Sequence, residues 1–126
     1  MSVITSAAPY LSLLDEHDPS LKVYALQSLD KQVDQLWSEI ANRIADIEQL
    51  FEDSHFSHRE LAALLASKVY YNLGDYDSAV KYSLLAGKAF NTNESSEYVE
   101  TIVSKCIESY ISLSQSKYAD DSVVID

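Results

Sequence analysis

Residues 57–86 read Ser-His-Arg-Glu-Leu-Ala-Ala-Leu-Leu-Ala-Ser-Lys-Val-Tyr-Tyr-Asn-Leu-Gly-Asp-Tyr-Asp-Ser-Ala-Val-Lys-Tyr-Ser-Leu-Leu-Ala, and this stretch decides the fold. Its spacing predicts a helix ending at Leu73, a tight turn at Gly74-Asp75, and a second helix folded back on the first. Gly74 enters the left-handed region without a Cβ penalty and so marks the C-cap. Ser57 and Glu60 predict a capping box at the start, each side chain satisfying a free amide of the other's region. Small residues at Ala62, Ala63, Ala66, Ser67, Ala79 and Ala86 fall where the two helices must approach closely. Tyr70, Tyr71, Tyr76 and Tyr82 fill the gaps that remain. Antiparallel helix pairs are the unit of α-solenoids, which brace or bind other proteins. The stretch therefore points to a scaffold.

Working toward the N-terminus, Asp53-Ser54-His55-Phe56 reads as a loop. Before it, a helix from near Asp30 presents Val33, Leu36, Trp37, Ile40 and Ile44 at i, i+3, i+4 spacing, the pattern of a buried face. Ile47, Leu50 and Phe51 continue that pattern in the same helix or after a break near Ala45-Asp46. Asp18-Pro19 pairs an acidic N-cap with proline at the first helical position and opens a helix to about Leu29. Its expected stripe is Leu21, Tyr24, Ala25 and Leu29. Thr5 or Ser6 caps a first short helix to about Asp15, with Leu11 and Leu14 inward.

Toward the C-terminus, the second helix of the pair ends between Gly87 and Phe90, before a turn at Asn91-Thr92-Asn93. The last helix is expected over about Ser95 to Ser114. It carries a wide apolar stripe of Tyr98, Val99, Ile102, Val103, Cys106, Ile107, Tyr110 and Ile111. A helix with so broad a stripe calls for a partner on each side. From Gln115 the pattern gives way to polar and acidic residues. The chain thus divides into a helical rod segment, residues 1–115, and an acidic tail, residues 116–126, expected to be mobile. The fold class is all-α: antiparallel helix pairs forming the start of an α-solenoid-like rod.

Composition supports that class. Two glycines and two prolines are too few for sandwiches, barrels or glycine-rich phosphate loops. At 126 residues with 47% apolar content, the chain suits one domain with a modest core. Nine Lys and Arg against 20 Asp and Glu leave a formal charge of −11, which repels phosphate backbones and anionic lipid. Nucleic acid and membrane are therefore poor partners. The charge serves solubility, or an acidic face that docks on a basic protein surface. A single cysteine excludes an internal disulfide and suits a reducing compartment. The N-terminus lacks the basic region of a secretory signal, and no apolar run reaches the roughly 18–20 residues of a membrane span. Cytoplasm and nucleus are the expected locations.

No residue set supports catalysis, and no cofactor is expected. His55 and His58 lie three apart near Asp53 and Glu60, but His55 precedes the cap serine and no further His or Cys is close, so they read as solvated. His17 reads as surface. Cys106 sits within an apolar stripe and reads as a buried structural thiol. Glu39, Asp46, Glu48, Glu52 and Asp53 form an acidic helix face, and Glu94, Glu97 and Glu100 cluster at the start of the last helix. These are the candidate protein-interaction residues. Tyr24, Tyr70, Tyr98 and Tyr110 fall at core spacing and read as packing between helices.

Tyr71 to Val80 and Ala86 look like the middle and end of a tetratricopeptide repeat, although Ala63, Ser67 and Asn91 occupy positions where that repeat carries other residues. No second copy stands at a 34-residue period. A free-standing adaptor binding short peptides is the rival reading, with Lys68 and Asn72 as its candidate groove residues.

Read whole, the chain resembles a more specific family. The resembling segments are Ala7-Ala8-Pro9-Tyr10-Leu11-Ser12-Leu13-Leu14, Leu21-Lys22-Val23-Tyr24-Ala25-Leu26 and Val33-Asp34-Gln35-Leu36-Trp37-Ser38-Glu39-Ile40. Further segments are Arg59-Glu60-Leu61-Ala62-Ala63-Leu64, Ser67-Lys68-Val69-Tyr70-Tyr71-Asn72-Leu73-Gly74 and Tyr98-Val99-Glu100-Thr101-Ile102-Val103-Ser104-Lys105-Cys106-Ile107. Together they resemble the N-terminus of the largest non-ATPase subunit of the proteasome regulatory particle, its fungal members above all. The resemblance implies a rod of paired helices that supports assembly of base with lid in ubiquitin-dependent degradation. It implies lid and base subunits, and the remainder of the same longer chain, as partners. It carries no catalytic residues over, and the family's repeat toroid and receptor-binding tail have no counterpart in these residues.

Overall fold

The computed structural model describes residues 6–91 and 96–125, with side chains described through residue 111. Among the described residues the chain forms α-helices and no strand, as the periodicity predicts. It divides into two compact units, Met1–Asn91 and Thr92–Asp126.

The first unit begins with α1, Ala8–Leu13, which buries Leu11, with Leu14 buried just past its end. Ala7, not the expected Thr5 or Ser6, is the N-cap of α1, which has no side-chain cap; Ser6, one residue earlier, accepts at its Oγ from the Ala8 amide at 3.1 Å. Helix α2, Pro19–Lys31, starts as Asp18-Pro19 predicts: the Asp18 carboxylate accepts from the Ser20 amide at 2.9 Å. Its buried stripe is Ala25, Leu26 and Leu29. Leu21 and Tyr24, expected in that stripe, are exposed instead, and Tyr24 rests its ring against Tyr10 at 6.3 Å. The inward face is rotated toward Leu26, because α2 packs at once against α1, α3 and a later helix.

Helix α3, Val33–Ala41, buries Val33, Leu36 and Ile40, and leaves Trp37 half-buried. The break before the next helix falls at Asn42-Arg43, earlier than the expected Ala45-Asp46. Arg43 takes the N-cap position of α4, Ile44–Glu52, and Asp46 lies in its first turn, where a carboxylate faces the positive end of the helix. The aspartate thus belongs inside the helix start.

Helix α5, Arg59–Leu73, runs through the centre of this unit and touches α2, α3, α4 and α6. Every residue from Ala62 to Ser67 is buried, with Val69. Gly74 ends it at φ 84°, donating to the Tyr71 carbonyl at 3.1 Å, and Asp75 N–H reaches the Tyr70 carbonyl at 3.0 Å. Asp75 then caps α6, Tyr76–Leu85, accepting from the Ser78 amide at 3.2 Å. At the crossing, the buried Ser67 hydroxyl donates to the Ala79 carbonyl at 2.6 Å, and Ala79 and Ala86 are fully buried. Small side chains let the two backbones approach as the sequence predicts. A 3-10 turn, Gly87–Ala89, follows α6.

The capping box at Ser57 and Glu60 does not form. His58 is the N-cap of α5, with no side-chain cap, and the Ser57 hydroxyl pairs with His58 Nδ1 at 2.7 Å. Glu60 lies toward Gly87 instead: a Cβ built on Gly87 would meet the Glu60 carboxylate oxygen at 2.5 Å. The exposed Glu60 side chain can swing away from such a Cβ, so it is the φ of 54° at Gly87 that favours glycine there.

The second unit holds α7, Glu97–Ile125. Its helical backbone continues beyond the expected end near Ser114. Val99 and Ile102 are buried, whereas Ile107, Tyr110 and Ile111 are exposed. Cys106, expected to be buried, is only half-buried, because it lies where the stripe passes from covered to uncovered.

Candidate functional site

The residues expected to form an acidic face on α3 and α4 differ in burial and in bonding. Glu39 is half-buried on α3, and its Oε2 accepts from the Ser6 hydroxyl at 3.0 Å and the Ala7 amide at 2.7 Å. It pins the start of α1 across more than thirty positions of sequence. Asp46 pairs with Arg43, whose guanidinium also holds Asp15 at 2.6 Å and so ties the α1–α2 connection to α4. Hydrogen bonding to Asp46, and less to Asp15, raises the Arg43 pKa against the opposing effect of burial.

Glu48 is the centre of a polar cluster that joins three helices. Its Oε2 accepts from the Tyr70 hydroxyl at 2.9 Å and the Tyr82 hydroxyl at 2.6 Å, joining α4, α5 and α6. The two rings stack with centroids 5.8 Å apart and planes 8° from parallel. Phe51 meets Tyr82 edge-on at 6.2 Å, and Arg59 lies over Phe51 at 5.0 Å while its Nε donates to the Phe51 carbonyl. Burial, and then the hydrogen bond to Glu48, push the Tyr70 hydroxyl up to about 12 and raise that of Tyr82 as well. Both phenols therefore stay protonated at neutral pH and donate to the carboxylate. The arrangement is a clamp between helices, with no nucleophile beside a base.

Of the remaining acidic candidates, Glu52, Asp53, Glu97 and Glu100 are exposed. Glu52 closes α4, and Asp53 follows it, its carboxylate accepting from the His55 amide at 2.9 Å. Glu97 and Glu100 lie in the first turn of α7. Glu94 lies outside the described residues. Glu52 and Asp53 belong to the first unit, and Glu97 and Glu100 to the second.

Of Lys68 and Asn72, the groove candidates of the adaptor reading, Lys68 reaches across to another helix and half-buried Asn72 bonds within its own. Lys68 Nζ pairs with Asp30 at 2.9 Å, with both side chains less than a quarter exposed. Asn72 donates to the Lys68 carbonyl at 2.8 Å. Both are spent on holding α5 together and to α2, which disfavours a peptide groove. Among the described residues, no group of three or more His, Cys, Asp or Glu is placed to hold a metal ion. No described helix is long and apolar enough to cross a membrane.

Sequence reasoning missed the double role of Glu48 and the bridging by Arg43. Only the i, i+3 spacing of Arg43 and Asp46 could have signalled any part of either.

Comparison with known proteins agrees with the resemblance read from residues 7–107. Residues 5–126 match the family described as 26S proteasome subunit RPN2, N-terminal domain. The chain is 58% identical over 126 residues to the 26S proteasome regulatory subunit RPN2 of Eremothecium gossypii, covering 100% of this chain and 13% of that protein. It is 57% identical over 118 residues to the subunit of the same name from Saccharomyces cerevisiae, covering 94% and 12% respectively. With the 26S proteasome non-ATPase regulatory subunit 1 of Drosophila melanogaster it shares 51% over 108 residues, covering 86% and 11%. The chain spans 13% or less of the length of these relatives. A match running almost from end to end, over a paired-helix fold, places the chain in the family of the RPN2 N-terminal domain of the 26S proteasome.

Proposed function

We propose that this chain is a non-catalytic, helical scaffold segment of the proteasome regulatory particle, supporting the joining of base and lid in ubiquitin-dependent degradation. The observation that carries the reading is the 58% identity over the whole chain to a protein named as a proteasome regulatory subunit. The internal use of Glu39, Asp46, Glu48, Lys68 and Asn72 supports it, because such bonding stiffens a rod and offers no reactive group. The partners are lid and base subunits and the remainder of a longer chain. The exposed carboxylates Glu52, Asp53, Glu97 and Glu100 carry the electrostatic part of docking on a basic subunit surface. The working locations are cytoplasm and nucleus.

The test is a chimera in which this chain replaces the matching segment of the Saccharomyces cerevisiae subunit, followed by purification of regulatory particles. Particles containing both base and lid are the expected product. Reversing Glu52, Asp53, Glu97 and Glu100 to Lys together is expected to lower lid recovery at low salt, by a margin that shrinks as salt rises and screens the charges, while leaving the melting curve of the isolated chain in place. Full lid recovery from both the charge-reversed chimera and a subunit lacking the segment would overturn the proposal.

A further inference from the structure

We draw no further inference here: the strongest candidate, the exposed apolar face of the last helix formed by Ile107, Tyr110 and Ile111, carries none because nothing in the structure shows what covers it.

Discussion

Helices α5 and α7 both carry broad apolar stripes, yet they meet opposite fates. In α5 the run from Ala62 to Ser67 is buried without interruption, since four other helices lie against it. In α7 the stripe begins buried at Val99 and Ile102, passes through half-buried Val103 and Cys106, and ends with Tyr110 72% exposed. The composition of the two stripes differs in a telling way. Helix α5 places alanines and a serine at its crossing points, so neighbouring backbones come close on more than one side. Helix α7 carries Ile, Val and Tyr, which project far and need a deep receiving surface. A stripe states how much surface a helix would gain by burying, and the neighbours present decide how much it does bury.

Cutting a large side chain from the α5 side of this comparison should produce the largest effect. Leu65 is fully buried, and Leu65→Ala is expected to destabilise the chain by about 2–5 kcal/mol through lost burial and the cavity left behind. Thermal unfolding followed by circular dichroism reads this directly. A shift no larger than that of an exposed alanine substitution would mean α5 is not the centre of the core.

The clamp on α5 comes next. Glu48→Ala removes the acceptor shared by Tyr70 and Tyr82, and should cost about 1–3 kcal/mol, toward the lower end because water reaches the half-buried carboxylate. The same cluster sets an alkaline limit. Both hydroxyls have pKa values raised above that of an unfolded tyrosine, near 10, so the folded chain holds its protons longer than the unfolded one. Stability from this source is intact below about pH 10 and falls as pH rises through 10 toward 12. Replacing both tyrosines by Phe should flatten that fall; an unchanged alkaline decline would assign it elsewhere.

Gly74→Val probes the turn that lets α6 return along α5. No atom lies within 4 Å of a Cβ built there, so backbone strain is the expected source of the cost. At φ 84° that strain should amount to about 1–2 kcal/mol. Gly74→Asn should recover part of it, since asparagine tolerates the left-handed region better. Equal melting temperatures for the two variants would remove φ as the reason for glycine.

The smallest effect belongs to the far part of the α7 stripe. Tyr110→Ser and Ile111→Ser should each change stability by less than about 0.5 kcal/mol in the isolated chain, despite removing large apolar groups. A loss comparable with Leu65→Ala would show that these side chains are covered, and the contrast between the two helices would disappear.

Much of this architecture was readable from the chain alone. The 3.6-residue period, the Asp18-Pro19 start, the left-handed Gly74 and the small residues facing each other at Ser67 and Ala79 are local signals, set by the geometry of a few consecutive residues. Family membership was legible for a related reason: it rests on the order of residues, which folding does not alter. Tertiary structure decided what lies far apart in sequence. Glu48 looked like one more carboxylate on a solvated face until packing brought it under hydroxyls 22 and 34 positions away. Glu60 matched a capping box, but the path of the chain through His58 and the nearness of Gly87 drew it elsewhere. Leu21 and Tyr24 fitted an apolar stripe as well as Leu26 did, and only the helices packed around α2 settled which of them faces inward. Periodicity limits which residues share a face, while the contact a polar or apolar group makes depends on elements whose approach no local pattern encodes.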